Sequence, residues 1–236
     1  MTAKRARNIA FSIIVLIAAG IWIFPLYWAL TTSLRSETRI ISDAGVLIDE
    51  LNFAAYAEVL SNSKLPMWYL NSVGTSLITT FIVLLTGMMC AYALSQLKFP
   101  GRRTLYLLVV ASFMVPVPAL YVAQFIVPVV VIVYKQFFDA IPREMREAVL
   151  LDGGGEFTLL FRLYLPLNWG ITAALAIITF ISTWNNFFWP FLVVTSESMM
   201  TIPVGITQVN DSFGVAYARM MALALLAAAP VIIGYL

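Results

Sequence analysis

Glu147 and Asp152 stand five residues apart, with Arg143, Glu144 and Arg146 just before them and Gly153-Gly154-Gly155 just after. Two carboxylates are the parts of a general acid–base pair. At this spacing, however, they diverge by about 140° around a helix, so each suits its own contact rather than a shared proton. The glycine run has the look of a phosphate loop but is followed by Glu156, and no G-x-x-x-x-G-K-[ST] sequence occurs anywhere. The chain therefore cannot hydrolyse ATP in the P-loop manner. Cys90 is the sole cysteine and there is no histidine, which removes intramolecular disulfides, the common metal sites and the Ser/His/Asp and Cys/His arrangements. What remains for this cluster is binding, not catalysis.

A helical hairpin must position it. Asp139 can cap a helix whose first turn accommodates Pro142, and Arg143 to Leu151 continues it until the glycines release the chain. Met145, Ala148, Val149 and Asp152 recur at i, i+3, i+4, i+7 as a mostly apolar stripe beside the charged residues. A second short helix starts at Glu156, with Phe157, Leu160, Phe161 and Tyr164 on one side, and stops at Pro166. Such a knob either lies on a membrane surface or docks in the groove of a soluble partner.

The rest of the sequence belongs in a bilayer. Hydrophobic residues make up 61% of the chain and charged residues 11%, with a mean hydropathy of +0.92, far from the balance of soluble domains. Apolar runs at Ile9 to Leu30, Leu70 to Leu94, Leu105 to Phe125, Ile171 to Val194 and Val215 to Leu236 predict spanning helices. The first is too long for a signal peptide and reads as an uncleaved span. Of the fourteen Lys and Arg residues, ten fall in Lys4–Arg7, Lys98–Arg103 and Lys135–Arg162. The positive-inside tendency makes those three segments, and the N-terminus, cytoplasmic. The acidic segment Arg35 to Met67 is then external.

This topology is one crossing short. Lys98–Arg103 and Lys135–Arg162 share a side, so an even number of crossings separates them, yet only the 31 residues from Thr104 to Tyr134 intervene. As helix they rise about 46 Å, whereas two crossings of a core about 30 Å thick need about 60 Å and a turn. The expectation is that residues are lacking near Gln124 to Pro128, with a short re-entrant segment as the competing explanation. The apolar run reaching Leu236 leads to the expectation of further residues beyond it.

Glu147-Ala148-Val149, Gly153 and Leu163-x-Leu165-Pro166 at these spacings resemble the EAA signature of permease subunits of bacterial ABC importers, with Val149 in place of the usual second alanine. Phe137 to Glu144, Trp184-Asn185-Asn186-Phe187-Phe188-Trp189-Pro190, Asn71-Ser72 and Lys98-Phe99-Pro100-Gly101 are similar to the carbohydrate-uptake branch, the relatives of the smaller membrane subunit of the maltose transporter. The resemblance covers essentially the whole chain. It implies an all-α polytopic membrane fold, a six-helix permease with one span incomplete here, forming a single transmembrane domain over 1–236. Residues 139–166 would be the cytoplasmic coupling-helix segment. Arg143, Glu144, Glu147, Ala148, Asp152 and Gly153 would then contact a cytoplasmic ATPase. The implied partners are a second permease subunit, two ATPase subunits, an external or periplasmic solute-binding protein and the lipid of a bacterial plasma membrane. ATP and Mg would be bound by the ATPase subunits and no cofactor by this chain. No nucleic acid is expected.

Half of a translocation path for a sugar or sugar-like solute follows from the same resemblance. Sugars are held by amide hydrogen bonds and aromatic faces, and Trp184, Asn185, Asn186, Asn71, Tyr121 and Gln124 supply such groups. The plainer roles are interfacial anchoring for Trp and interhelical bonding for Asn. Met114-Val115-Pro116-Val117-Pro118 should bend the third span. A secondary transporter would need coupling acids within its spans, where almost none occur, and a membrane enzyme would need a catalytic cluster.

Overall fold

A computed structural model describes residues 3–42, 45, 47, 50–62, 64–114, 128–207 and 216–235. Every regular element in them is helical. Helix α1 (Ala3–Ser33) runs 31 residues through an apolar sequence with Pro25 inside it, and short α2 (Glu37–Ser42) and α3 (Ala54–Asn62) follow. The 32-residue α4 (Leu65–Gln96) comes next. Among the described residues, α1 and α4 are long and apolar enough to cross a membrane, as the first two apolar runs predict.

The remaining elements are shorter. They are α5 (Arg102–Phe113), α6 (Pro128–Asp139), α7 (Arg143–Leu151) and α8 (Glu156–Leu159), a π-helical turn at Leu160–Tyr164, and α9 (Leu165–Leu167) and α10 (Trp169–Trp184). After these come α11 (Phe188–Val193), a 3-10 turn at Glu197–Met199, α12 (Ile202–Ile206) and α13 (Tyr217–Tyr235). Glu156–Leu167 and Trp169–Trp184 meet at an 82° bend and count as a third span only if taken together. The 12 residues of α5 and the 12 of α6 rise about 18 Å each, short of the hydrocarbon thickness. The expected bend at Pro116 and Pro118 and the place of the lacking crossing lie outside the described residues.

The run Ile171 to Val194 is not a continuous helix: α10 ends at Trp184 and the chain turns through Asn185–Phe187 before α11. Asparagine competes for nearby backbone groups and so favours helix ends over interiors.

The chain divides into two compact units. The first comprises residues 1–71 and 190–236. In it α13 packs against α1, α2, α3 and α12, and Tyr69 donates its hydroxyl to the Leu226 carbonyl. The apolar side chains of α1, such as Trp22 at 83% exposure, face outward as lipid-facing residues do. Arg35 is buried and donates to the carbonyls of Gly45 and Leu47 at 2.7 and 2.6 Å. Glu37 accepts the first backbone N–H groups of α13, from Tyr217 and Ala218 at 3.0 and 2.8 Å, where a carboxylate suits both orphan donors and helix dipole. Arg219 pairs with Glu58 at 3.2 Å.

The second unit, residues 72–189, holds the polar hairpin. Its core joins α4, α6, the π turn and α10 through Val83, Ala91, Tyr92, Val131, Tyr134, Phe138, Leu160, Tyr164 and Leu175. A Cβ on Gly87 would lie 2.7 Å from Val130 Cγ1, so glycine is what lets α6 approach α4 this closely. Rings of Tyr92 and Tyr164 meet edge to face at 5.2 Å, as do Phe138 and Tyr164, the geometry that ring quadrupoles favour.

Candidate functional site

Helix α7 ends in a glycine-dependent turn. Asp152 is the C-cap, Gly153 follows at φ +81°, Gly153 N–H donates to the Leu150 carbonyl at 3.1 Å and Gly154 N–H to the Val149 carbonyl at 2.9 Å. These two bonds with a left-handed residue between them form a Schellman motif, which side chains with a Cβ adopt only at a cost. The expected hairpin turn is thus present, and α8 starts at Glu156 as the sequence predicts.

Its faces differ from the expected ones. Arg143, Glu144, Met145, Glu147, Ala148, Leu150, Leu151 and Asp152 are all exposed, and only Arg146 and Val149 of α7 turn toward the protein. The apolar stripe Met145–Ala148–Val149–Asp152 is therefore split, with Val149 packed on the core and Met145, Ala148 and Asp152 exposed. On the second arm Leu159, Leu160 and Tyr164 are buried, while Phe157 and Phe161 are 69% and 41% exposed. Phe157 and Phe161, four residues apart, form one exposed stripe and Leu160 and Tyr164 a buried one, so the single side expected for these four residues is divided. Pro166 does not stop the helix. It is the second residue of α9, and the sharp turn falls at Asn168, whose side chain donates to the Tyr164 carbonyl at 2.8 Å.

Asp139 does not cap α7 either. Pro142 occupies the N-cap position without a side-chain bond. The Asp139 carboxylate is used instead by the Ser95 hydroxyl and by Lys135, both at 2.5 Å. Lys135 also lies 4.7 Å over the Tyr106 ring, joining α5 to α6.

Inside the hairpin, Arg146 Nη2 donates to Glu156 Oε1 at 2.5 Å, and Tyr92 donates its hydroxyl to Glu156 Oε2. Desolvation works against the Arg146 charge, but Glu156 and then Tyr92 more than offset it and hold the guanidinium above its ordinary range. Tyr92 is not legible from the motif, because it lies 64 residues away from Glu156 in sequence, and Glu156 is legible only as the start of the second helix. Beside the turn, Val149, Asp152, Gly154, Thr158, Arg162 and Leu163 line a cleft of about 430 Å³. With Asp152 and Arg162 both exposed, the cleft offers both charge signs to a visiting side chain.

The amides and rings considered for a solute path are dispersed. Asn71 donates to the carbonyls of Ser198 and Met200 at 2.8 and 3.0 Å, so its amide braces the first unit. In the second unit Trp184 is 2% exposed and stacks on Phe180 at 6.0 Å, which withdraws its face from solution. Asn186 Oδ1 accepts the Trp189 N–H at 3.3 Å, leading the chain into α11. Asn185 is exposed at the end of α10. Tyr121 and Gln124 lie outside the described residues.

No family model matches the chain. It is 29% identical to the diacetylchitobiose uptake system permease protein of Streptomyces coelicolor over 98% of this chain and 84% of that one. It is 26% identical to the arabinooligosaccharides transport system permease protein of Bacillus subtilis, over 97% of this chain and 90% of the other. A similar 26% holds for the sn-glycerol-3-phosphate transport system permease protein of Yersinia enterocolitica, over 89% and 85%. The fold matches a chain from the crystal structure of a bacterial ABC transporter involved in import of the acidic polysaccharide alginate, with a TM-score of 0.87 at 20% identity, covering 100% of this chain and 96% of that one. The Streptomyces alignment runs over 257 positions yet takes in 98% of these 236 residues. About 26 of its positions thus face no residue here.

Proposed function

We propose, of a chain that is a permease subunit of a bacterial ABC importer of the carbohydrate-uptake branch, that residues 139–166 are its handle for a cytoplasmic ATPase subunit. The observation that carries this is the outward face of α7. Met145, Ala148 and Leu151 are exposed on the same short helix as Arg143, Glu144 and Glu147. Charges of both signs would be costly in hydrocarbon, and bare apolar groups are unfavourable in water. A soluble partner with an apolar groove and charged rim satisfies both.

On this reading the N-terminus is cytoplasmic and the whole chain is one permease domain. It works with a second permease subunit, two ATPase subunits that bind ATP and Mg, and an external solute-binding protein. It has no ATPase site of its own. Closure of the ATPase subunits displaces the hairpin and tilts the helices attached to it. The cargo is a sugar or sugar-like solute, the class carried by the saccharide systems whose permeases it resembles; the glycerol-phosphate relative extends the range to small polyol phosphates. Among the described residues of the expected solute set, Asn185 is best placed to touch it, since Asn71, Asn186 and Trp184 are engaged elsewhere.

The test is copurification from cells expressing the chain with its neighbouring transport genes. The parent should bring an ATPase subunit, and Leu151→Asp with Ala148→Asp should lose it while still inserting in the membrane. Retention of the ATPase by the double variant would remove the assignment of this face.

A further inference from the structure

We infer that Arg146, Glu156 and Tyr92 form a brace that turns the hairpin from a flexible appendage into a rigid lever on α4. The inference rests on the reading of residues 139–166 as the ATPase handle and adds the means by which movement leaves it. Helix α7 is joined to α8 through Asp152 to Gly155, with Gly153 at φ +81°. A glycine turn alone transmits force poorly, because its backbone has many accessible conformations. Arg146 points inward from α7, away from the exposed partner face, and closes that turn by pairing with Glu156 on the far arm. The second carboxylate oxygen of Glu156 is taken by the Tyr92 hydroxyl. One carboxylate on α8 therefore ties α7 and α4 to that arm through two charge-assisted hydrogen bonds.

Tyr92 continues the connection. Its ring meets Tyr164 of the π turn at 5.2 Å and Phe138 of α6 at 6.4 Å, both edge to face. Displacement of α7 thus reaches three helices through close-packed rings, which deform little. Past α9, at Asn168, the chain bends by 82° into α10, so a push on the brace bears on the arm that ends at this joint. The three side chains are positioning residues: none lies on the exposed face that contacts the ATPase.

The experiment measures solute taken up per ATP hydrolysed by the assembled transporter in reconstituted vesicles. Tyr92→Phe keeps the ring and removes one bond, and Glu156→Gln keeps the shape and removes the charge. Both should lower the ratio by about threefold or more with the ATPase still bound and hydrolysing. Arg146→Glu and Glu156→Arg should each do the same, and the two together should recover the part of the ratio that rests on the Arg146–Glu156 pair, leaving the loss seen in Tyr92→Phe, because Tyr92 then faces a guanidinium that cannot accept its proton. An unchanged ratio in Tyr92→Phe and Glu156→Gln, or a double exchange no better than its single parents, overturns the brace while leaving the ATPase handle intact. Failure of the parent chain to bind an ATPase at all overturns both.

Discussion

The Ser95 hydroxyl donates to Asp139 Oδ1 at 2.5 Å, fastening the last turn of α4 to the last residue of α6. Arg102 closes the same corner by donating to the carbonyls of Ser95 and Leu97 at 2.8 and 3.1 Å. Asp139→Ala should therefore destabilise the protein by about 1–3 kcal/mol, because a mostly buried hydroxyl loses an ionised acceptor. Thermal denaturation in detergent measures it. Ser95→Ala should add little in the Asp139→Ala background, whereas fully additive losses would mean that the two side chains do not act together.

The hairpin was legible because its signals are local. Glycine after a helix and an acid opening the next one are read within a few residues, and both hold at Gly153 and Glu156. The long apolar runs disclosed α1 and α4 for the same reason. What a one-dimensional period does not contain is a partner distant in sequence. Asp139 looks like a helix cap until Ser95 is folded against it, and Arg146 looks like one more surface charge until Glu156 and Tyr92 meet it. Phe157 and Phe161 are as apolar as the buried Leu160 and Tyr164, so hydropathy alone does not separate the exposed stripe from the buried one. Hydropathy over Ile171 to Val194 puts Asn185 and Asn186 inside a span because it averages over the turn that they make.

Gly153 and Gly155 give a paired test of the turn. Gly153 has φ +81°, whereas a Cβ on Gly155 would meet nothing within 4 Å and its φ is −91°. Gly153→Ala should cost about 1 kcal/mol of stability from left-handed strain. Gly155→Ala should be close to neutral. Equal melting temperatures for the two variants would contradict the strained-turn account.

The asparagine pair should separate by role. Asn186 accepts a backbone N–H at the entry to α11, so Asn186→Ala should lower stability by about 1 kcal/mol, as loss of a cap does. Asn185→Leu should weaken solute uptake and leave the assembled complex intact. Uptake like the parent's in Asn185→Leu would remove Asn185 from the path, and an unchanged melting temperature in Asn186→Ala would remove Asn186 from the turn.

Topology is open to labelling. With the one native thiol removed by Cys90→Ser, Lys98→Cys and Arg143→Cys should react with an impermeant maleimide from the same face of the membrane, the cytoplasmic one. Reaction from opposite faces would place an odd number of crossings between them and overturn the expectation of a lost span.

The most direct measurement is ATP-driven uptake by vesicles containing the transporter with Glu147→Lys. Glu147 is exposed on the face assigned to the ATPase, and the exchange reverses its charge without entering the core. The account predicts a variant that inserts and assembles with the second permease subunit but no longer couples ATP hydrolysis to uptake. Uptake at the parent's rate would contradict the assignment of α7 as the ATPase handle.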